Sequence, residues 1–350
     1  MRNTYLLQTL ELAAKRQGFT APNPAVGAIV TKHGKIIGQG FHNGPGQPHA
    51  EVVALQNCHE SPQGATLFVS LEPCCHYGRT PPCVKAIIEA RIKEVFFCYL
   101  DPNPEVAGKG QKQLQQAGIT CEYIPLHEAD KFYNAYRHWM LTGRPWVTAK
   151  LALSQDGKIA GENGNPIKIT GPELQQFTHE KRLQSDAILS TVETVLCDDP
   201  ALNVRLNNEP IAKDIYLLDS RLRFPTTAKL NQTAKSITLF HDEKYHKCFP
   251  NHIKQQPVSK GLNLQQVIEK IGADGVQALW VEAGAKCFHA MVDQKIADEI
   301  FLYVGNKTLG AGTKATDANL DPSNFSKDYI LKSSTNHGHD VSLKYTKVVT

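Results

Sequence analysis

An α/β fold in two domains is predicted for this chain on three observations. Strand-like and helix-like patterns alternate along both halves of the sequence, as they do where helices cover sheets. At 350 residues the chain is too long for one typical hydrophobic core. Thr142-Gly143-Arg144-Pro145 interrupts a helix-like segment, so the domains are expected over 1–144 and 145–350.

In the first domain, residues 1–18 place Leu6, Leu7, Leu10 and Ala14 on one face of a helix. Glu11, Lys15 and Arg16 break the apolar run that a secretion signal would need. Strands over 25–30 and 35–38 flank His33-Gly34, which reads as a hairpin turn. Pro48 precedes a short helix over 49–56, and a strand over 65–72 ends where Pro73-Cys74 begins. A helix over 84–93 carries Val84, Ile87 and Ile88 on one face. A strand over 95–100, a turn-rich connection over 101–110 and a helix over 112–118 follow, with Gly118 as the stop.

The second domain opens with a strand over 147–153 and a helix over 172–184. Strands over 187–189, 215–218 and 237–240 come next. A strand over 278–282 then runs into Ala283-Gly284-Ala285 and a helix to 293, before a strand over 299–304. No Gly-x-Gly-x-x-Gly follows an expected strand, which disfavours a Rossmann dinucleotide fold. The Gly284 turn still presents backbone N–H groups to a phosphate at a helix N-terminus.

Composition removes several classes of function. A formal net charge of +4 without a basic stripe argues against a nucleic-acid partner. No run of about 18 apolar residues is present, so no membrane span is expected. The nine cysteines show no disulfide-framework spacing, and a reducing, cytoplasmic compartment is expected. Cys58, Cys98, Cys121, Cys197, Cys248 and Cys287 read as small buried hydrophobes.

The chemistry concentrates in His49-Ala50-Glu51 and in Pro73-Cys74-Cys75-His76-Tyr77-Gly78-Arg79-Thr80-Pro81-Pro82-Cys83. His49, Cys74 and Cys83 supply one imidazole and two thiolates for Zn²⁺. Three protein ligands leave a tetrahedral ion one open position, which marks a catalytic site. Bound zinc brings the pKa of water from about 15.7 toward 7, and Glu51 is then the residue to shuttle protons. Cys74 is preferred to Cys75 because it follows Pro73, as in the zinc-deaminase order H-x-E…P-C…C. Here the usual C-x-x-C is stretched to eight intervening residues. Residues two apart on a regular helix point roughly 200° away from each other, so His49 and Glu51 converge only at an irregular first turn.

These segments resemble the bifunctional riboflavin-biosynthesis deaminase–reductase family. The likeness extends through Thr20-Ala21-Pro22-Asn23-Pro24, Asp101-Pro102-Asn103-Pro104 and Val106-Ala107-Gly108-Lys109-Gly110. In the second half it covers Lys150-Leu151-Ala152-Leu153-Ser154-Gln155-Asp156-Gly157 and Thr194-Val195-Leu196-Cys197-Asp198-Asp199-Pro200-Ala201-Leu202. The resemblance implies a cytidine-deaminase-like α/β/α domain followed by a dihydrofolate-reductase-like α/β domain. The first would deaminate 2,5-diamino-6-ribosylamino-4(3H)-pyrimidinone 5′-phosphate, and the second would reduce its ribosyl group to ribityl with NADPH.

The resemblance places Asn23, His42, His76, Arg79 and Asn103 around the deaminase substrate. It places the cofactor near Ala152, Thr194, Asp198, Ser220 and Gly284. The sugar phosphate falls to Arg182 and Arg205, with Leu202, Lys150 and Glu282 also on the substrate. Asp198 serves either proton transfer or the turn at Asp198-Asp199-Pro200. A homodimer or homotetramer is expected from the resemblance alone. Pro166 and Lys168 stand where the family usually carries Ser and Trp, and Lys168 is a candidate for the cofactor's extra phosphate. If those changes abolish reduction, the chain is a deaminase whose second domain is a structural or dimerisation module. An RNA-base deaminase is the remaining reading, disfavoured by the small charge.

Overall fold

The computed structural model describes residues 1–104, 107–206, 209–314 and 328–348. Val106, part of the motif noted above, lies outside the described residues. The chain divides into two compact units, Met1–Arg144 and Pro145–Thr350.

In the first unit the elements are α1 (Arg2–Ala14), β1 (Gly27–Lys32), β2 (Lys35–Phe41), α2 (Ala50–Gln56), β3 (Thr66–Val69), α3 (Cys83–Glu89), β4 (Glu94–Phe97) and α4 (Lys109–Gln116). β5 (Thr120–Tyr123), α5 (His127–Phe132) and α6 (Asn134–Thr142) complete it. Its sheet runs β2-β1-β3-β4-β5. β1 pairs antiparallel with β2 and β3, whereas β3-β4 and β4-β5 are parallel. His33 and Gly34 both take positive φ, the geometry of a two-residue hairpin turn.

Period-two alternation sorts the strand side chains into two cores. Ala28, Val30, Leu67, Val69, Val95 and Phe97 pack with Ala50, Ala54, Val84, Ile87 and Leu114 from α2, α3 and α4. Ile29, Phe68 and Phe96 face the other way, against Leu6, Leu10, Ala129, Tyr133 and Tyr136 from α1, α5 and α6. The result is an α/β/α sandwich. The buried face of α1 differs from expectation: Leu6, Thr9, Leu10 and Ala13 point inward, while Leu7 and Ala14 are exposed. The leucine run allowed two neighbouring stripes, and the one that also buries Ala13 is used.

The second unit contains β6 (Trp146–Leu153), β7 (Lys158–Ala160), a 3₁₀ turn at Glu162–Gly164, α7 (Pro172–Gln184), β8 (Ala187–Thr191), α8 (Val192–Asp198) and β9 (Asp214–Leu218). Then come α9 (Leu230–Thr233), β10 (Ser236–Asp242), β11 (Ile253–Val258), α10 (Ser259–Leu262), α11 (Leu264–Ala273), β12 (Ala278–Glu282) and α12 (Ala285–Asp293). β13 (Glu299–Val304), β14 (Thr313–Lys314), β15 (Tyr329–His337) and β16 (Asp340–Lys347) end the unit.

Nine strands run β11-β10-β9-β8-β12-β6-β13-β16-β15. From β11 to β13 every pairing is parallel, and the β15–β16 hairpin is added antiparallel. Helices cover both faces, α11 and α12 on one core and α7 and α8 on the other. Parallel strands buried on two sides read as continuous apolar runs, which is why the interior strands were legible in the sequence. No helix among the described residues is long and apolar enough to cross a membrane.

Cys98 and Cys121 are buried as expected and Cys58 and Cys287 partly so, but Cys197 and Cys248 are exposed. Cys197 lies near the end of α8, on the side turned from the core. Apolar neighbours in sequence do not bury either thiol.

Candidate active site

The first site forms where two helix starts meet the carboxyl end of β3. His49 is the N-cap of α2 with extended backbone (ψ 162°), so it does not follow the helical spacing to Glu51. That backbone removes the divergence expected of residues two apart. Cys74 follows β3, and Cys83 opens α3 behind Pro82. Candidate ligand atoms of His49, Cys74 and Cys83 lie within 4.8 Å of one another.

Nδ1 of His49 is 3.2 Å from Cys83 Sγ and 3.4 Å from Cys74 Sγ, while the Cys83 amide donates to Cys74 Sγ at 3.3 Å. Hydrogen bonding to Cys83 first, and to His49 as well, lowers the pKa of the Cys74 thiol. The same bond and burial drive the Cys83 thiol well up. An imidazole and two thiols at this spacing, one already favouring thiolate, suit zinc. Glu51 is 3% exposed. Burial first, and the Cys74 charge second, push its carboxyl up to about 7.

His49, Glu51 and Cys74 open onto a cavity of about 430 Å³, with Cys83 buried behind them. Asn23, His42, His76, Arg79 and Asn103, the five residues expected around a substrate, all line it. His42 is buried with both ring nitrogens engaged, Nε2 3.0 Å from Asn23 Nδ2 and Nδ1 3.1 Å from the Pro48 carbonyl. It orients the Asn23 amide. His76 and Arg79 are exposed at the cavity.

Sequence reasoning did not single out Asp101, Tyr136, Trp139, Met140 or Thr80 as lining residues. Asp101 is buried and accepts from the Asn103 amide (2.9 Å) and Tyr136 Oη (3.1 Å). Burial raises its carboxyl to about 6 against those bonds. Asp101 sat in a noted motif; Tyr136, Trp139 and Met140 come from α6, which carried no local signal of function.

In the second unit, the residues expected at the cofactor lie at the carboxyl ends of four strands adjacent in the sheet. Ser220 follows β9, Thr194 begins α8 after β8, Gly284 follows β12, and Ala152 is near the end of β6. Open α/β sheets bind ligands in that crevice. A Cβ at Gly284, the N-cap of α12, would meet nothing within 4 Å, so the turn is open for a phosphate. Those observations fit a dinucleotide. Lys168 is not in this row; it is exposed in the loop before α7, where its carbonyl accepts from Lys307 Nζ.

Asp198 ends α8, and Asp199 takes the left-handed backbone and accepts from the Lys229 amide. The turn chemistry therefore falls to Asp199. Leu202 is buried in the core, leaving only its backbone for a ligand.

Arg182 and Glu282, expected on the phosphate and at the sugar, are bonded to each other. Arg182 Nε and Nη2 reach the Glu282 carboxylate at 2.5 and 3.0 Å, and Nη1 donates to the Asn203 carbonyl at 2.9 Å. Trp280 Nε1 also donates to Glu282, at 2.8 Å. Burial alone would raise the Glu282 carboxyl, but Arg182 and Lys150 pull it down to about 2. Lys150 sits beside Glu282 across the β6–β12 pairing, its ammonium 5.2 Å from the Tyr303 ring centre. Burial lowers the Lys150 pKa against the Glu282 charge. Arg205 is the exposed cation of the group.

Fold and site thus define a zinc-type deaminase unit joined in one chain to an α/β unit with a nucleotide crevice. Residues 1–99 match the cytidine and deoxycytidylate deaminase zinc-binding region, and residues 145–343 match the RibD C-terminal domain. The riboflavin biosynthesis protein RibD of Haemophilus influenzae is 39% identical, over 98% of this chain and 96% of that protein; its Aquifex aeolicus counterpart is 36% identical over 98% of each. Acinetobacter baumannii RibD has a TM-score of 0.86 at 32% identity, covering 99% of each chain. A Thermotoga maritima diaminohydroxyphosphoribosylaminopyrimidine deaminase/5-amino-6-(5-phosphoribosylamino)uracil reductase has the same score at 30% identity. The chain belongs to the RibD family of riboflavin-biosynthesis proteins, with a deaminase domain followed by a reductase domain.

Proposed function

We propose that the chain carries out two consecutive steps: hydrolytic deamination of 2,5-diamino-6-ribosylamino-4(3H)-pyrimidinone 5′-phosphate, then NADPH-dependent reduction of the ribosyl group. The product is 5-amino-6-(5-phosphoribitylamino)uracil. The observation that carries the reading is that His49, Cys74 and buried Glu51 line the 430 Å³ cavity, with the Cys83 thiol directly behind them in the same cluster.

His49, Cys74 and Cys83 would hold Zn²⁺, which when bound supplies Lewis acidity that brings the pKa of water to about 7. Glu51 takes a proton from the attacking water and returns it to the ring nitrogen; the amine then leaves as ammonia with the second proton. A carboxyl near 7 suits both halves of that shuttle. Asn23, with its amide set by His42, and Asn103 offer donors and acceptors to the ring edge. His76 and Arg79 face the 5′-phosphate from the open side.

In the second unit, Ala152, Thr194, Ser220 and Gly284 would hold NADPH, which supplies the hydride. Asp198 moves the accompanying proton; Lys168, exposed in the loop before α7 and outside the row of strand ends, is left without a cofactor role. Arg205 and Arg182 take the sugar phosphate. The Arg182 pair also fixes the Glu282 carboxylate beside Lys150, next to the reacting sugar. A homodimer or homotetramer in the cytoplasm completes the reading.

The test gives purified, zinc-loaded protein the diaminopyrimidinone ribotide with NADPH and records ammonia and NADPH separately. Both signals are expected, with oxidation lagging deamination. Ammonia without NADPH loss would make the second unit a structural or dimerisation module, with Pro166 and Lys168 as the disabling changes.

A further inference from the structure

The two ring nitrogens of His49 face different chemistry. Nδ1 faces the two thiols, at 3.2 and 3.4 Å, whereas Nε2 lies 3.2 Å from Thr80 Oγ1. A neutral imidazole carries one N–H donor and one acceptor nitrogen. The nitrogen that joins two thiolates around a cation must offer its lone pair, so the proton belongs on Nε2. The hydroxyl of Thr80 is the acceptor within reach. His42 packs edge-on against the His49 ring, with centroids 5.2 Å apart, but its own nitrogens are committed to Asn23 and Pro48.

Thr80 belongs to the stretch between Cys74 and Cys83, and Pro81 and Pro82 behind it restrict the backbone. We propose that Thr80 is a positioning residue of the metal centre. Its Oγ1 accepts the His49 Nε2–H, fixes the tautomer that leaves Nδ1 as ligand, and ties the loop bearing His76 and Arg79 to the ion. The proposal rests on the zinc reading above. It also accounts for the long stretch between the two thiols, since a two-residue spacer would have no position equivalent to Thr80.

The experiment uses the full chain and measures Zn²⁺ affinity by competition with a chromophoric chelator, with far-UV circular dichroism as the folding control. Outer hydrogen-bond partners of ligating histidines typically matter by 10–100-fold. Thr80→Val is therefore expected to weaken zinc binding by about 10–100-fold, and Thr80→Ser, which keeps the oxygen, to stay within about threefold of the parent. With Co²⁺ in place of zinc, the visible absorption bands are expected to shift in Thr80→Val and not in Thr80→Ser. Undiminished affinity in Thr80→Val, or equal loss in both variants, would overturn the proposal. His49→Ala separates the two readings. If it binds zinc as tightly as the parent, the ligand set itself is wrong; if it loses zinc while Thr80→Val does not, only the role of Thr80 fails.

Discussion

Glu51 is the residue proposed to carry the proton traffic of the hydrolytic step. Glu51→Gln keeps the size and burial of the side chain but removes its proton traffic, so deamination is expected to fall about 10²–10⁴-fold. Zinc content by atomic emission is expected to stay unchanged; a variant that lost zinc would be reporting on metal binding instead. A second residue carries a pH signature. Burial first, and then the charges of Arg182 and Arg205, hold His179 down at about 4, and its Nδ1 accepts from the Arg205 amide. Unfolded, the same group titrates near 6.5, so between pH 6.5 and 4 the unfolded chain binds more protons. Stability therefore falls as the pH drops through that window. Urea midpoints should decline on acidification in the parent and less steeply in His179→Gln; parallel declines would remove His179 as the cause. The cluster of His49, Cys74 and Cys83 was readable as residues because their order and neighbours lie within two short segments. Tyr136 and Trp139 were not, because they meet the cavity only through the packing of α6, some 60 positions beyond Cys74 for Tyr136.

At the scale of elements, α4 is held against the metal segment by close approach and charge together. The buried Glu72 carboxylate accepts from the Gly108 and Gln111 amides at 2.9 and 3.2 Å, an acid at a helix N-terminus. A Cβ at Gly110 would collide with the Pro73 carbonyl oxygen, next to Cys74. Gly110→Ala is therefore expected to destabilise the first unit by about 1–3 kcal/mol. A lowered unfolding midpoint together with weaker zinc retention would register it, and a midpoint matching the parent's would show that the contact relaxes freely. Interior elements were legible for a related reason. β8 and β12 are buried on both faces and read as apolar runs, and α7 has Pro at its start and its expected bounds. The edge strands gave no such pattern. β11 carries Lys254-Gln255-Gln256-Pro257, with a proline tolerated because the strand lies at the sheet edge, and β15 is exposed along most of its length.

For the whole molecule, the two chemistries draw on separate groups: thiolates and an imidazole in one unit, a crevice at the ends of parallel strands in the other. The residues proposed to hold zinc all precede residue 84, and those proposed for the cofactor all follow residue 150. Removing zinc should therefore divide the activities. After treatment with a strong chelator, ammonia release from the diamino ribotide is expected to fall to background. NADPH oxidation should persist when the deaminated ribotide is supplied directly, and Zn²⁺ should restore the first step. Both activities falling together would mean that the metal also supports the second unit, as structural zinc does where binding is coupled to folding. The scattered residues of the second crevice explain why this half was read mainly by resemblance. Ala152, Thr194, Ser220 and Gly284 belong to four different strand ends, and no short spacing joins them. Only the order β9-β8-β12-β6, set by parallel crossovers, makes them neighbours. Chelation asks whether that crevice works without the metal centre, and persistence of oxidation alone would show that it does.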